Sequence, residues 1–163
     1  MHITKRGVTY HLEGVQPKTG MPAPDFHVKN LEDESKTLKD FEGQTLIISV
    51  IPDIDTRVCS LQTKQFNQTA SELEGIQLVT ISNNQKEQQK SWCAAEGINM
   101  EMLHDTALDF ARAYGIYMPE MKKLARSVFV VDGSGQLVYQ EIVPEMTEEP
   151  DYQAAITAAK DTK

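Results

Sequence analysis

The chain has 163 residues, with 16 Lys+Arg against 24 Asp+Glu for a formal net charge of −8. That length suits one domain able to bury its own core, and we expect a single unit over 1–163 with 1–24 as an N-terminal hairpin extension. The acidic balance argues against nucleic acid and anionic lipid as partners. The longest strongly apolar run, 46–51, is far short of the roughly 20 residues of a membrane span. No apolar leader follows Met1, so a cytoplasmic protein is expected.

In chain order, Val8 to Leu12 reads as one strand of an N-terminal hairpin and Phe26 to Lys29 as a short strand. The β-branched run 46–51 predicts a strand buried on both faces. Pro52 breaks it, and a helix is expected over 57–73, stopped by Gly75. A second strand follows over 76–81. Asn84 and Glu87 have capping-box spacing and open a helix that Gly97 closes. A brief strand is expected over 100–103 and a short helix over 108–114. The stretches 127–131 and 137–142 read as a hairpin around Asp132-Gly133-Ser134-Gly135, and 151–160 as a final helix. Strand, helix, strand, helix, then hairpin and helix predict a mixed sheet with helices on both faces.

The chemistry concentrates in Pro52-Asp53-Ile54-Asp55-Thr56-Arg57-Val58-Cys59. This segment leaves the carboxyl end of a buried strand and opens a helix, where α/β sheets place their ligands. Asp55 or Thr56 can cap the helix. Cys59 then lies in the first turn among unpaired N–H groups, a position that favours a thiolate. At about 100° per residue it shares a face with Phe66, Ala70 and Leu73, so its sulfur points inward. From the residues alone, a buried core cysteine and an activated nucleophile both remain open. Arg57 is expected to face solvent and Asp55 to be structural.

Pro52-x-x-x-Thr56-x-x-Cys59 resembles the active-site motif of the peroxiredoxins. Its longer form, Pro-x-x-Asp-Thr-x-x-Cys, is similar to the atypical two-cysteine branch of thiol peroxidases. Further stretches agree, in order, along nearly the whole chain: Lys64-Gln65-Phe66-Asn67, Cys93-Ala94-Ala95-Glu96-Gly97, Ala113-Tyr114-Gly115, Leu124-Ala125-Arg126 and Glu149-Pro150-Asp151-Tyr152. Asp53 and Trp92 stand where the family pattern more often has Ser and Phe. The resemblance implies a thioredoxin-like α/β fold with an N-terminal β-hairpin and a peroxidase acting on hydrogen peroxide and alkyl hydroperoxides. It implies Cys59 as the peroxidatic nucleophile and Cys93 as the resolving cysteine, joined during the cycle in an intramolecular disulfide. Thr56 would hydrogen-bond the peroxide, Pro52 would shield the sulfur, and Arg126 would favour the thiolate and polarise the peroxide. Thioredoxin is the implied reductant and a homodimer the implied assembly, with no metal or organic cofactor.

A thiol of pKa about 8.5 is already roughly 3% ionised at pH 7, so full deprotonation gains at most about 30-fold. Larger accelerations need donors aimed at the oxygens as the O–O bond lengthens. Cys93 follows Cys59 by 34 residues. It lies about 12 Å along its helix at 1.5 Å per residue, whereas a disulfide needs Cα atoms within about 7 Å. The intervening stretch 85–91 is polar throughout, so this helix is expected to unravel in each cycle. The four histidines show no metal-ligand spacing. Met118, Pro119 and Met121 could line an apolar pocket, or simply pack a loop. Two rival functions are a redox-sensing module, which fast turnover with thioredoxin would exclude, and a thiol–disulfide oxidoreductase. The missing Cys-x-x-Cys speaks against the latter, and an insulin-reduction assay distinguishes it.

Overall fold

The computed structural model describes residues 1–70, 73–97 and 101–162. It opens with β1 (His2–Lys5) and β2 (Val8–His11), followed by β3 (His27–Asn30), β4 (Ser35–Thr37) and a 3-10 turn at Leu38–Phe41. Then come β5 (Thr45–Val50), α1 (Arg57–Ala70), β6 (Ile76–Ser82), α2 (Lys86–Glu96), β7 (Glu101–His104) and α3 (Asp109–Ala113). The chain closes with β8 (Tyr117–Met118), β9 (Lys123–Leu124), β10 (Ser127–Val131), β11 (Leu137–Ile142) and α4 (Tyr152–Asp161). Of the expected helix 57–73, positions 71 and 72 lie outside the described residues, and Leu73 is no longer helical. Met100, the expected start of a strand, also lies outside them.

Seven strands form one sheet in the order β11-β10-β5-β6-β7-β3-β4. β5, β6 and β7 run parallel, and the other pairs are antiparallel. Two parallel strands joined through α1, with the antiparallel β10–β11 hairpin on their other side, make the thioredoxin-like arrangement expected. All six residues of β5 are buried, because it is central and both faces are covered. Ile47, Val128 and Val130 pack with Phe66 of α1 and Ile156 of α4 on one face. Leu46, Ile48, Val50 and Phe129 pack with Phe110 of α3, with Tyr114 that caps it, and with Ile3 and Leu12, on the other. The strict alternation of partners along β5 and β10 is the period-two pleat at work.

α2 is fastened differently. Its one fully buried residue is Gln89, whose Nε2 donates to the Ser82 Oγ (2.8 Å) and the Leu103 carbonyl (3.2 Å). The capping box lies one residue later than expected: the Gln85 N–H donates to Oε1 of Gln88 at 3.1 Å. Asn84 is unavailable as a cap because its side chain is committed to the Cys59 loop. Its Oδ1 accepts from the Ile54 N–H (3.2 Å) and its Nδ2 donates to Asp53 (3.3 Å).

Candidate active site

β5 ends at Val50, and buried Pro52 turns the chain out of the sheet. Thr56, not Asp55, caps α1: its hydroxyl donates to the Asp53 carbonyl (3.0 Å) and accepts from the Cys59 N–H (3.4 Å). Asp55 and Arg57 are exposed. Cys59 is 0% exposed and packs with Ile51, Ile54 and Trp92. The inward helical face read from the sequence is therefore real, with Phe66 equally buried further along it. The side chain of Ala70 lies outside what is described.

Arg126 reaches the same place from far along the chain. β10 pairs with β5 so that Ser127 faces Val50, which sets Arg126 at the strand end from which the Cys59 loop departs. Arg126 is 2% exposed. Its Nη1 donates to Cys59 Sγ (3.4 Å) and to Gln62 Oε1 (2.9 Å), and its Nε donates to the Met146 carbonyl (3.0 Å). Gln62, wholly buried, donates in turn to Ser49 Oγ (2.9 Å) and the Val50 carbonyl (3.3 Å). A buried cation needs such a set of acceptors to offset its lost hydration. The sulfur thus takes a charge-assisted hydrogen bond from a cation that Gln62 and the Met146 carbonyl hold in place. Gln62 was not singled out in the sequence. Its one signal is a polar residue three positions after Cys59, on the inward face of the helix.

Asp53 ties this loop down. Burial opposes its ionisation, yet the Asp55 N–H, the Asn84 amide and Lys123 together hold its carboxyl below the usual range. Lys123 Nζ lies 3.3 Å from Asp53 Oδ2. Beside the loop opens a cleft of about 360 Å³, onto which Pro52, Thr56, Val58 and Arg126 all face. Met121 lines it, whereas Met118 is a core residue with no exposure, because β8 turns its side chain inward. Pro119 is exposed and not part of the lining.

Cys93 is half-buried, and burial pushes its thiol up from the ordinary value. Both cysteines are free thiols. Trp92, next to Cys93, packs against the cluster holding Cys59, and Glu96 pairs with Lys64 of α1 at 2.8 Å. The helices bearing the two cysteines are therefore in contact around the sulfur. Among the described residues no group of three or more His, Cys, Asp or Glu side chains could hold a metal ion.

A thioredoxin-like sheet that seats a cysteine under a guanidinium at the end of its central strand defines a thiol-based redox protein. Residues 19–140 match the AhpC/TSA family. The thiol peroxidase of Listeria monocytogenes serotype 4b (strain F2365) is 50% identical over 151 residues, covering 91% of this chain and 92% of that protein. The thiol peroxidase of Bacillus subtilis (strain 168) is 45% identical over 160 residues, covering 97% and 96%. A crystal structure of a peroxiredoxin-like protein from Aquifex aeolicus superposes with a TM-score of 0.93 at 28% identity, covering 99% of this chain and 97% of that one. The fold is shared as well by a thiol peroxidase from Chromobacterium violaceum, with a TM-score of 0.89 at 15% identity, covering 99% and 96%. The chain belongs to the AhpC/TSA family, among the thiol peroxidases of the peroxiredoxin class.

Proposed function

We propose that Cys59 is the peroxidatic nucleophile of this peroxidase and Cys93 its resolving partner. The observation that carries the reading is the Arg126 Nη1 contact to Cys59 Sγ at 3.4 Å. The thiolate attacks the terminal peroxide oxygen; an S–O bond forms, the O–O bond breaks, and the leaving alkoxide or hydroxide takes up a proton. Arg126 is placed to stabilise charge on both the attacking sulfur and the departing oxygen. Thr56 turns its hydroxyl from the Asp53 carbonyl towards the peroxide, and Pro52 limits water at the sulfur. The Cys93 sulfur then attacks the sulfur of the Cys59 sulfenic acid; an S–S bond forms, the S–O bond breaks, and the hydroxyl leaves as water with the thiol proton, giving an intramolecular disulfide. Thioredoxin returns both cysteines to thiols. We further infer a cytoplasmic homodimer, with hydrogen peroxide and alkyl hydroperoxides as substrates. No helix among the described residues is long and apolar enough to cross a membrane.

Mixing reduced protein with one equivalent of peroxide should give a dimedone-trappable sulfenic acid on Cys59 and then, by mass, a Cys59–Cys93 disulfide. Modification at Cys93 alone would overturn the assignment. Arg126→Ala should slow the first step by roughly 10²–10³-fold, beyond the roughly 30-fold that deprotonation can supply. Stopped-flow rates measured at alkaline pH, where the thiol is ionised in both proteins, isolate that excess, and equal rates there would remove Arg126 from the chemistry.

Resolution requires α2 to release Cys93. The helix is held by hydrogen bonds through Gln89, by Trp92 and by the Lys64–Glu96 and Lys86–Asp33 pairs, with little apolar burial. Water can replace most of those partners, so opening costs little. Hydrogen exchange should therefore show 86–96 much less protected in the disulfide form than in the dithiol form. Equal protection in the two forms would contradict this.

A further inference from the structure

We propose that Lys5 and Arg6, at the tip of the N-terminal hairpin, select peroxides that carry an anionic group. This rests on the peroxidase reading above and names the substrate class of that same cleft. The cleft beside Cys59 is lined by Lys5, Arg6, Arg57, Lys123 and Arg126, against the single carboxylate of Asp53. Asp53 is already paired with Lys123, and Arg126 is committed to the sulfur. Lys5, Arg6 and Arg57 form no ion pair among the described residues. On a molecule of net charge −8, a positive cleft focuses field lines, drawing anions to a place the remaining surface repels them from.

The hairpin tip is also built at a cost. Lys5 pairs with Val8, so Arg6 and Gly7 form the two-residue loop, with φ of +52° and +83°. Such turns favour Asn, Asp or Gly at the first of these positions, and an arginine there is strained. The tip is nonetheless held firmly. Thr4 donates from its N–H to the Pro144 carbonyl (2.8 Å) and from its hydroxyl to Glu145 Oε1 (2.9 Å). The Gly7 N–H lies 3.4 Å from the same oxygen. Thr147 bonds the other Glu145 oxygen through its hydroxyl (2.6 Å) and N–H (2.9 Å). These bonds hold the Glu145 carboxyl down at about 2, so it stays ionised under the hairpin without lining the cleft. Lys5 and Arg6 therefore stand over the cleft on a fixed mount. Met121, Met146 and Val58 supply the apolar remainder of the lining. The matching ligand is an amphipathic hydroperoxide whose carboxylate meets the hairpin while its O–O bond lies towards Arg126.

The test compares two peroxides that differ only in charge, cumene hydroperoxide and its para-carboxylate, in stopped-flow oxidation of the reduced protein. At low salt the carboxylate should react about tenfold faster, and the ratio should fall towards one as ionic strength rises. In a Lys5→Gln, Arg6→Gln double variant the ratio should fall by at least about threefold, Arg57 retaining the remainder. The charge-preserving Lys5→Arg, Arg6→Lys variant should restore the full ratio, which separates loss of charge from damage to the hairpin. Equal rates for the two peroxides in the unaltered protein would overturn the inference and leave the peroxidase reading standing. So would a preference that survives undiminished in the glutamine variant, or a variant that loses only turnover with thioredoxin at an unchanged peroxide ratio. Failure to react with either peroxide would overturn the peroxidase reading itself, and this inference with it.

Discussion

Serine in place of Cys59 should leave no peroxide consumption above the uncatalysed background. An alkoxide is not accessible near pH 7, and serine oxygen cannot take up the peroxide oxygen as sulfur does. The rest of the site should survive the exchange. The residue is fully buried beside the Arg126 guanidinium, so the new hydroxyl gains a donor in place of water, and the folding penalty stays within about 1–2 kcal/mol. Thioredoxin-coupled NADPH oxidation measures the loss. Intact mass after peroxide treatment should show no added oxygen, and an unchanged circular dichroism spectrum rules out unfolding as the cause. Turnover retained in this variant, or oxygen appearing on Cys93, would move the chemistry elsewhere.

Cys93→Ser should separate the two halves of the cycle. The first equivalent of peroxide should oxidise Cys59 at the rate of the unaltered protein, since Cys93 does not line the cleft and takes no hydrogen bond from Arg126. Cycling with thioredoxin should then fall by at least about 10²-fold, because the sulfenic acid has no intramolecular thiol to expel its oxygen. On the proposed assignment, the folded α2 holds Cys93 back from Cys59. Burial pushes the Cys93 thiol up while the helix is docked, and thiolates are the attacking species. On that assignment, unwinding α2 would both bring this sulfur nearer and wet it, making release and activation one event. A variant that cycled normally with thioredoxin would show that a different reductant thiol resolves Cys59 directly.

Lys5, Arg6 and Glu145 carry no signal in the sequence. They matter because β1 docks on the segment after β11 through the Thr4 and Glu145 hydrogen bonds, a contact between opposite ends of the chain. Gln62 and Asn84 were equally silent as functional residues. Gln62 matters because the β5–β10 pairing brings Arg126 within 2.9 Å of it. Asn84 looked like a helix cap by spacing, and tertiary structure gave its amide to Ile54 and Asp53 instead. Met118 and Met121 looked alike in sequence, yet only Met121 lines the cleft, because a short β-turn sends the two side chains to different places.

Local physics alone determined the strand from its β-branched run, the helix from its breakers and face, and the inward aim of Cys59 from 100° steps along that helix. Those features depend on residues a few positions apart, so their energetics are written in neighbouring side chains. The guanidinium on the sulfur, the polar anchoring of α2 and the cationic hairpin over the cleft join residues up to 141 positions apart. Such contacts are settled by sheet order and register, which place distant segments side by side only when the whole core is packed. Tertiary structure alone therefore decided what surrounds the cysteine.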